Sequence, residues 1–458
     1  MSSTEDGLEK ELVTSTSMAA HKLSSEWISR LESSGDQDVL MSMYEFAKRQ
    51  IYLRDGYVPS GDSSRRASLD PAKDDVIREI AKGLRANKSE FVSSFIKEWI
   101  DVSDDVNGIF LESGLSSQSN SSPSVTSLRF EEELDGLLSW DNDFLRMSNL
   151  ELIQRSLRIF KCWGFHDVHQ DGSPSLVDRD RFSVFVKMVS KNYRSENPYH
   201  NFHHAHSVLA VTGNLLRSCM RDQYCELEEF SILAAALCHD IGHRALNSDY
   251  YIKTRHSLAI QYNDTSVLEN MHCSLTFDLL RSTPAADFTK AWADEQWTQF
   301  RKIVIQCILA TDMKVHFDLT ASLQKLSTGS DMALADNKKT VYQALVHAAD
   351  LANPVMATKD SYQWAFRVVE EMHEQGKLEE RDGFTVAPFM KHPPTDTVEF
   401  AKLQVSFIEY IVAPLWRSIA TTWPPLQHRV DQMEKNLAFW QSLQDGKKPE
   451  ANHVTTSG

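Results

Sequence analysis

Several things are scarce in this 458-residue chain. No stretch approaches the ~18 apolar residues that a membrane span needs, the nearest being the short run Ile232–Cys238. Cationic charge is short: 48 Lys and Arg face 64 Asp and Glu, a net of −16 with the 17 histidines counted neutral. That balance argues against sequence-independent binding to DNA, RNA or an anionic membrane, all of which need a basic surface. A small anionic ligand is still allowed if its countercharge is supplied locally. The six cysteines (Cys162, Cys219, Cys225, Cys238, Cys273 and Cys307) form no C-x-x-C pair and sit in apolar, helix-like segments. They read as reduced core thiols of a cytoplasmic protein, with neither disulfides nor a zinc ribbon. The acidic start, Met1 to Asp6, has no basic or apolar region of a secretory signal. Alternating strands, turn dipeptides joining them and fixed-period repeats are also missing.

What is present is helical. Hydrophobic residues at 41% and charged residues at 24% are ordinary values for a chain that buries a sizeable core. Leu152, Ser156, Ile159 and Trp163 fall on one side of a helix, and Phe182, Phe185, Val189 and Tyr193 on one side of another. The fold class predicted is all-α, a compact multi-helix domain over residues 130–444. Before it comes a helical N-terminal extension, residues 1–112, with Val76, Ile80, Leu84, Phe91, Phe95 and Trp99 at helical spacing. Those amphipathic helices need a partner surface, either the rest of the chain or a second copy in a homodimer. Residues 113–129 form a Ser-rich linker, and 445–458 a polar, disordered tail.

The histidines are clustered. Ten of the 17 lie between His200 and His347, several beside a carboxylate. Pro198 suits a helix start, so His200 and His204 are expected one turn apart on one helical face. His239-Asp240-Ile-Gly-His243 follows the apolar run directly, and Glu269 to His272 and His347 to Asp350 add two further groups. Adjacent His and Asp after an apolar helix bury ionisable groups, which is costly unless something pairs with them. A divalent cation does so, and His204, His239, Asp240 and Asp350 make a His₂Asp₂ set suited to one. Asp240 has a second oxygen free to bridge to another ion. Spacing alone leaves open which of His203 and His204, and which of His239 and His243, is the ligand.

Six segments, in order, carry a resemblance: Tyr199-His-Asn-x-x-His204, His239-Asp-x-x-His243, Val267-Leu-Glu-Asn-x-His272, Thr311-Asp-Met-x-x-His316, Ala349-Asp-x-x-Asn-Pro354 and Gln404-x-x-Phe-Ile-x-Tyr-Ile-x-x-Pro-Leu-Trp416. Together with Trp140-Asp…Phe144 they resemble the class I cyclic nucleotide phosphodiesterases over about residues 130–440. The His-Asp pair alone also marks the wider group of HD metallohydrolases. The resemblance implies hydrolysis of a 3′,5′-cyclic nucleotide to a nucleoside 5′-monophosphate by a hydroxide bridging two metals. His204, His239, Asp240 and Asp350 would hold the tight ion, usually zinc. Asp240 would bridge to a second, usually magnesium, with manganese the other candidate. His200 would be the general acid, oriented by Glu371, with His243, Glu269, His272 and Thr311 fixing ligands and waters. Tyr199, Met313, Asn353, Val368, Gln404 and Phe407 would contact the nucleotide, Gln404 through the purine edge and Phe407 by stacking opposite Val368. Asn353-Pro354 resembles the branches that prefer cyclic AMP, with dual specificity for cyclic AMP and cyclic GMP as the close alternative. On pattern alone, Gln404 and Phe407 at i and i+3 can face one pocket, though Leu403, Phe407 and Ile411 also make an ordinary core stripe.

The chain departs from that pattern in places. Gly242 stands where an acidic residue often precedes the second histidine, and the following turn reads Arg244-Ala-Leu-Asn-Ser248. His203 and His206 are extra histidines, read as bystanders. Arg65-Arg-Ala-Ser68-Leu resembles a site for cyclic AMP-dependent protein kinase. A phosphate there would alter how helices 76–111 pack on the catalytic domain. The rival classes are another metal-dependent phosphohydrolase, such as a nucleotidase, and a non-catalytic cyclic-nucleotide-binding protein.

Overall fold

The computed structural model describes residues 131–166, 175–220, 223–326 and 335–447. The N-terminal extension with Ser68 and the helices expected in it, the Ser-rich linker and nearly all of the tail lie outside the described residues.

The described residues are helical, with no strand among them. The first helix, α1, covers 131–137. Then come α2 (Asn149–Trp163), α3 (Arg179–Asn192), α4 (Phe202–Cys219) and α5 (Glu226–Cys238). The middle of the chain gives α6 (Ser248–Lys253), α7 (Ser257–Gln261), α8 (Val267–Ser282), α9 (Asp294–Leu309), α10 (His316–Leu326) and α11 (Ala335–Asp350). The last part gives α12 (Thr358–Arg381), α13 (Thr397–Phe407), α14 (Ala413–Thr422) and α15 (Gln427–Gln444). Among the described residues no helix is long and apolar enough to cross a membrane.

The predicted stripes are buried: Leu152, Ser156 and Ile159 on α2, and Phe182, Phe185, Val189 and Tyr193 along α3 and its end. At the centre is α5, which packs on α4 and α9. Its first turn carries Glu226, Glu228 and Glu229, which suit the positive end of a helix. Phe230 through Cys238 are all buried, so beyond its first turn this helix is buried on every side and runs through the interior. That placement puts its C-terminal neighbours, His239 and Asp240, deep in the protein. Of the six free cysteines, Cys238, Cys273 and Cys307 are buried, but Cys225 is exposed because it caps the start of α5.

Two features lie beside the main core. Ile408–Val412 forms a π-helical turn between α13 and α14, a local widening often found at functional sites. Residues around α6, α7 and the start of α8 make a small second core of Tyr251, Leu258, Ala259, Val267, Leu268 and Met271. The five non-glycine residues with positive φ among the described residues (Ala245, Arg255, Asn263, Asp264 and Ser266) are all in this segment.

Candidate metal centre and general acid

Three helix ends meet at one point. On α4, Asn201 is the N-cap, and its side chain accepts from the backbone N–H of His203 at 3.0 Å and of His204 at 3.4 Å. This changes one expectation. The helix starts at Phe202, because Asn201 supplies the cap, so His200 lies in the turn before it instead of on a shared face with His204. The second end is that of α5, where His239 is the C-cap and Asp240 follows. His239 and His243 therefore do not share a helix either. The turn between them is closed by Gly242, whose φ of +80° suits glycine. A Cβ at Gly242 would fall 2.4 Å from Leu275 Cδ1, so this chain has no room for an acidic side chain there without rearrangement. The third end is that of α11, whose last residue is Asp350.

Ligand atoms of His204, His239, Asp240 and Asp350 all lie within 4.8 Å of one another. His204 Nε2 is 3.1 Å from His239 Nε2 and 3.0 Å from Asp350 Oδ1. His239 Nε2 is 3.1 Å from Asp240 Oδ2 and 3.3 Å from Asp350 Oδ1. His239 Nδ1 donates to the Ala236 carbonyl at 2.8 Å, which turns its Nε2 lone pair inward. Tyr193 holds the neighbouring backbone: its hydroxyl donates to the Leu237 carbonyl at 3.0 Å and accepts from the Asp240 N–H at 3.1 Å.

The donor set fits a divalent cation. Asp240 and Asp350 both stand at helix C-termini, where the helix dipole already disfavours negative charge. Burial opposes charge on His239, yet Asp240 and Asp350 hold its pKa well above the usual value. Burial also opposes charge on Asp240, but His239 and then His200 hold it well below the carboxylate range. The pocket therefore favours positive charge, and two imidazole nitrogens with two carboxylates suit a divalent cation in donor type and number.

His200 stands beside this centre, its Nε2 3.9 Å from Asp240 Oδ2. Its Nδ1 is in a short contact with Glu371 Oε1. Glu371 Oε2 accepts from the backbone N–H groups of Tyr199 at 2.9 Å and His200 at 3.1 Å. Burial would lower the His200 pKa, but the charges of Glu371, Asp240 and Asp350 raise it to about 9. Glu371 is correspondingly held down to about 2, chiefly by His200 against the opposing effect of burial. His243 stacks on His200, and accepts at Nδ1 from the Ala245 N–H at 3.0 Å. Donor atoms of His200, His243 and Glu371 also lie within 4.8 Å of one another. Stacked rings aim their lone pairs in nearly parallel planes, however, so this trio is a hydrogen-bonded unit and a poor cation cage.

The other predicted residues spread outward. His272 donates from Nδ1 to the Ile241 carbonyl at 2.7 Å and brings Nε2 within 3.6 Å of Asp240 Oδ1. Glu269 is pushed up to about 8, mainly by burial and next by Asp312, and its Oε2 has no protein partner. The Thr311 hydroxyl bonds within its own turn, to the Ile308 carbonyl, and not to the cluster. Asn353 donates to the Tyr199 hydroxyl at 2.7 Å. Gln404 is buried on α13, Phe407 and Val368 pack partly buried against the main core, and Met313 is exposed. The bystanders point elsewhere: His203 Nε2 bonds the Met147 carbonyl, and His206 Nδ1 the Ser156 hydroxyl. Sequence reasoning missed Tyr193, which it read only as core, and Asn197, whose amide donates to the carbonyls of both His200 (2.8 Å) and His243 (3.0 Å).

The family model described as 3′5′-cyclic nucleotide phosphodiesterase matches residues 199–433, just over half of the chain. The chain belongs to that family. Among the family's curated members, the 3′,5′-cyclic-nucleotide phosphodiesterase regA of Dictyostelium discoideum is 28% identical over 340 residues, covering 73% of this chain and 42% of that protein. A 3′,5′-cyclic-AMP phosphodiesterase of Drosophila melanogaster, isoform F, is 35% identical over 278 residues, covering 58% of this chain and 41% of its own. This family member thus spans about two fifths of the length of those relatives. Of solved structures, the phosphodiesterase domain of the RhoPDE fusion protein from the choanoflagellate Salpingoeca rosetta aligns with a TM-score of 0.64 at 30% identity, covering 69% of this chain and 98% of that domain.

Proposed function

We propose that this chain hydrolyses 3′,5′-cyclic nucleotides to nucleoside 5′-monophosphates, with cyclic AMP favoured over cyclic GMP. The observation that carries the reading is the position of His200, clamped by Glu371 and facing the His₂Asp₂ cluster from 3.9 Å. Hydrolysis adds a water oxygen to phosphorus and breaks the P–O3′ bond, leaving an alkoxide that needs a proton. With Nδ1 on Glu371, His200 presents Nε2–H toward the centre, and the Glu371 carboxylate favours its protonated form, as a general acid requires.

His204, His239, Asp240 and Asp350 would hold the tight cation, zinc in this reading, and Asp240 would also reach a second, magnesium or manganese. Bound cations supply Lewis acidity, acidify water and neutralise charge on the phosphate. Asn353, with its amide nitrogen given to Tyr199, keeps its oxygen free to accept from an adenine amino group, which supports the cyclic AMP preference. Gln404 and Phe407 would bind the purine with Val368 on the opposite face, and Met313 would lie at the rim. The six free thiols support a reducing, cytoplasmic setting. Control by phosphorylation at Ser68 and pairing through the N-terminal helices belong to the same proposal.

The test is an assay of both cyclic nucleotides with and without chelator, read as kcat/KM. Metal-dependent turnover with a preference for cyclic AMP is expected. Turnover of nucleoside monophosphates alone would instead make the chain a nucleotidase. His200→Ala should lose turnover while keeping its metal, and metal lost in parallel would make His200 a ligand.

A further inference from the structure

Helix α12 carries more than Glu371. Gln375 and Glu379 follow at four-residue intervals, and all three polar side chains are buried, with 4%, 4% and 1% exposure. Four residues advance a helix by about 6 Å and return nearly to the same face, so the three form one buried polar stripe. Each grips a different part of the wall around the site. Glu371 holds the backbone of Tyr199 and His200. Gln375 Oε1 accepts from the Asn247 N–H at 2.8 Å, at the end of the turn that begins with His243. Gln375 Nε2 donates to Glu379 Oε1 at 2.8 Å, and Glu379 Oε2 accepts from Lys253 on α6 at 3.0 Å.

The two turns held by this helix are also tied to each other. The Asn197 amide bridges the carbonyls of His200 and His243, and the two imidazoles stack at 3.9 Å. We propose that Gln375, oriented by Glu379, is a positioning residue for the general acid: it fixes the turn that holds His243 against His200. Both turns are thereby referred to one rigid helix, so their separation is set by the spacing of residues on α12. A buried amide with its acceptor on one turn and its donor on a buried carboxylate cannot shift without leaving polar groups unpaired. The inference rests on the reading of His200 as the general acid.

The experiment uses the full chain and cyclic AMP. Gln375→Met keeps the bulk but neither accepts from Asn247 nor donates to Glu379. It is expected to lower kcat about tenfold, with KM within about twofold and metal content unchanged. The double variant Gln375→Glu/Glu379→Gln keeps both hydrogen bonds with their direction reversed between 375 and 379, and is expected to restore kcat to within about twofold of the unmodified chain. In the unmodified protein, the Asn247 amide should exchange its hydrogen slowly, a reading that does not depend on a variant folding. Unaltered kcat in Gln375→Met, failure of the double variant to restore it, or an Asn247 amide that exchanges like an open turn would each overturn the inference. Absence of any cyclic-nucleotide hydrolysis by the unmodified chain would overturn the functional reading along with it.

Discussion

The imidazole of His200 lies against that of His243, ring centroids 3.9 Å apart and planes 25° apart. The two rings are chemically unequal. Glu371 helps raise the pKa of His200 to about 9, whereas burial and the neighbouring His200 charge lower that of His243 to about 3. The pair thus favours a charged His200 against a neutral His243, the arrangement that the proposed general-acid role of His200 requires.

The first prediction concerns pH. A general acid works only while protonated, so activity falls as pH rises through its pKa. Removing the Glu371 charge with Glu371→Gln takes away the leading group that raises the His200 pKa. The alkaline limb of kcat/KM is then expected to move to lower pH. Bound cations offset Asp240 and Asp350, so the unmodified limb should lie below about 9. A limb unmoved in Glu371→Gln would show that another group donates the proton.

The second concerns the cation. The cluster gathers two carboxylates at two helix C-termini, so withdrawing positive charge leaves repulsion in the interior. Chelation is expected to lower the melting temperature, and zinc to restore it. Each tenfold rise in free cation above Kd should add about 1.4 kcal/mol. His239→Ala should abolish the response to zinc, which differential scanning calorimetry would read directly.

The third concerns strain. Ala245 sits at φ 58°, a left-handed conformation that costs a residue with a Cβ about 1–2 kcal/mol. Glycine accepts it freely but loses more entropy on folding. Ala245→Gly is therefore expected to stabilise the protein by about 0.5–1 kcal/mol, seen as a higher urea midpoint. Its N–H can still donate to His243, so turnover should hold.

The fourth concerns nucleotide choice. The Asn353 amide is oriented by its 2.7 Å bond to the Tyr199 hydroxyl. Tyr199→Phe frees that amide to turn and offer either end to the base. The ratio of kcat/KM for cyclic AMP over cyclic GMP is expected to fall several-fold, with the rate on the poorer substrate little changed.

The parts of this arrangement visible in the sequence are those encoded over short spans. Helical periodicity marked the stripes of α2 and α3, and the pairs His239-Asp240 and Ala349-Asp350 announced their carboxylates locally. The start of α4 was misplaced because two helix-start signals compete there. Pro198 is permissive, but the Asn201 side chain satisfies the first amides and decides the boundary. Tyr193 looked like core because its hydroxyl partners are 44 and 47 positions away. Gln375 gave no signal at all, since Asn247 is 128 positions away and only the packing of α6 beside α12 joins them.

The small second core around Tyr251, Leu258 and Met271 is separate from the main one, and its flanks hold the strained residues from Ala245 to Ser266. Little apolar burial and stored backbone strain together define a unit that opens at lower free energy than the rest of a protein. On heating, this corner should loosen first and carry the His243 turn with it. If the proposed activity depends on that turn, turnover is expected to fade while the aromatic interior stays folded, at a temperature below the one at which the protein melts.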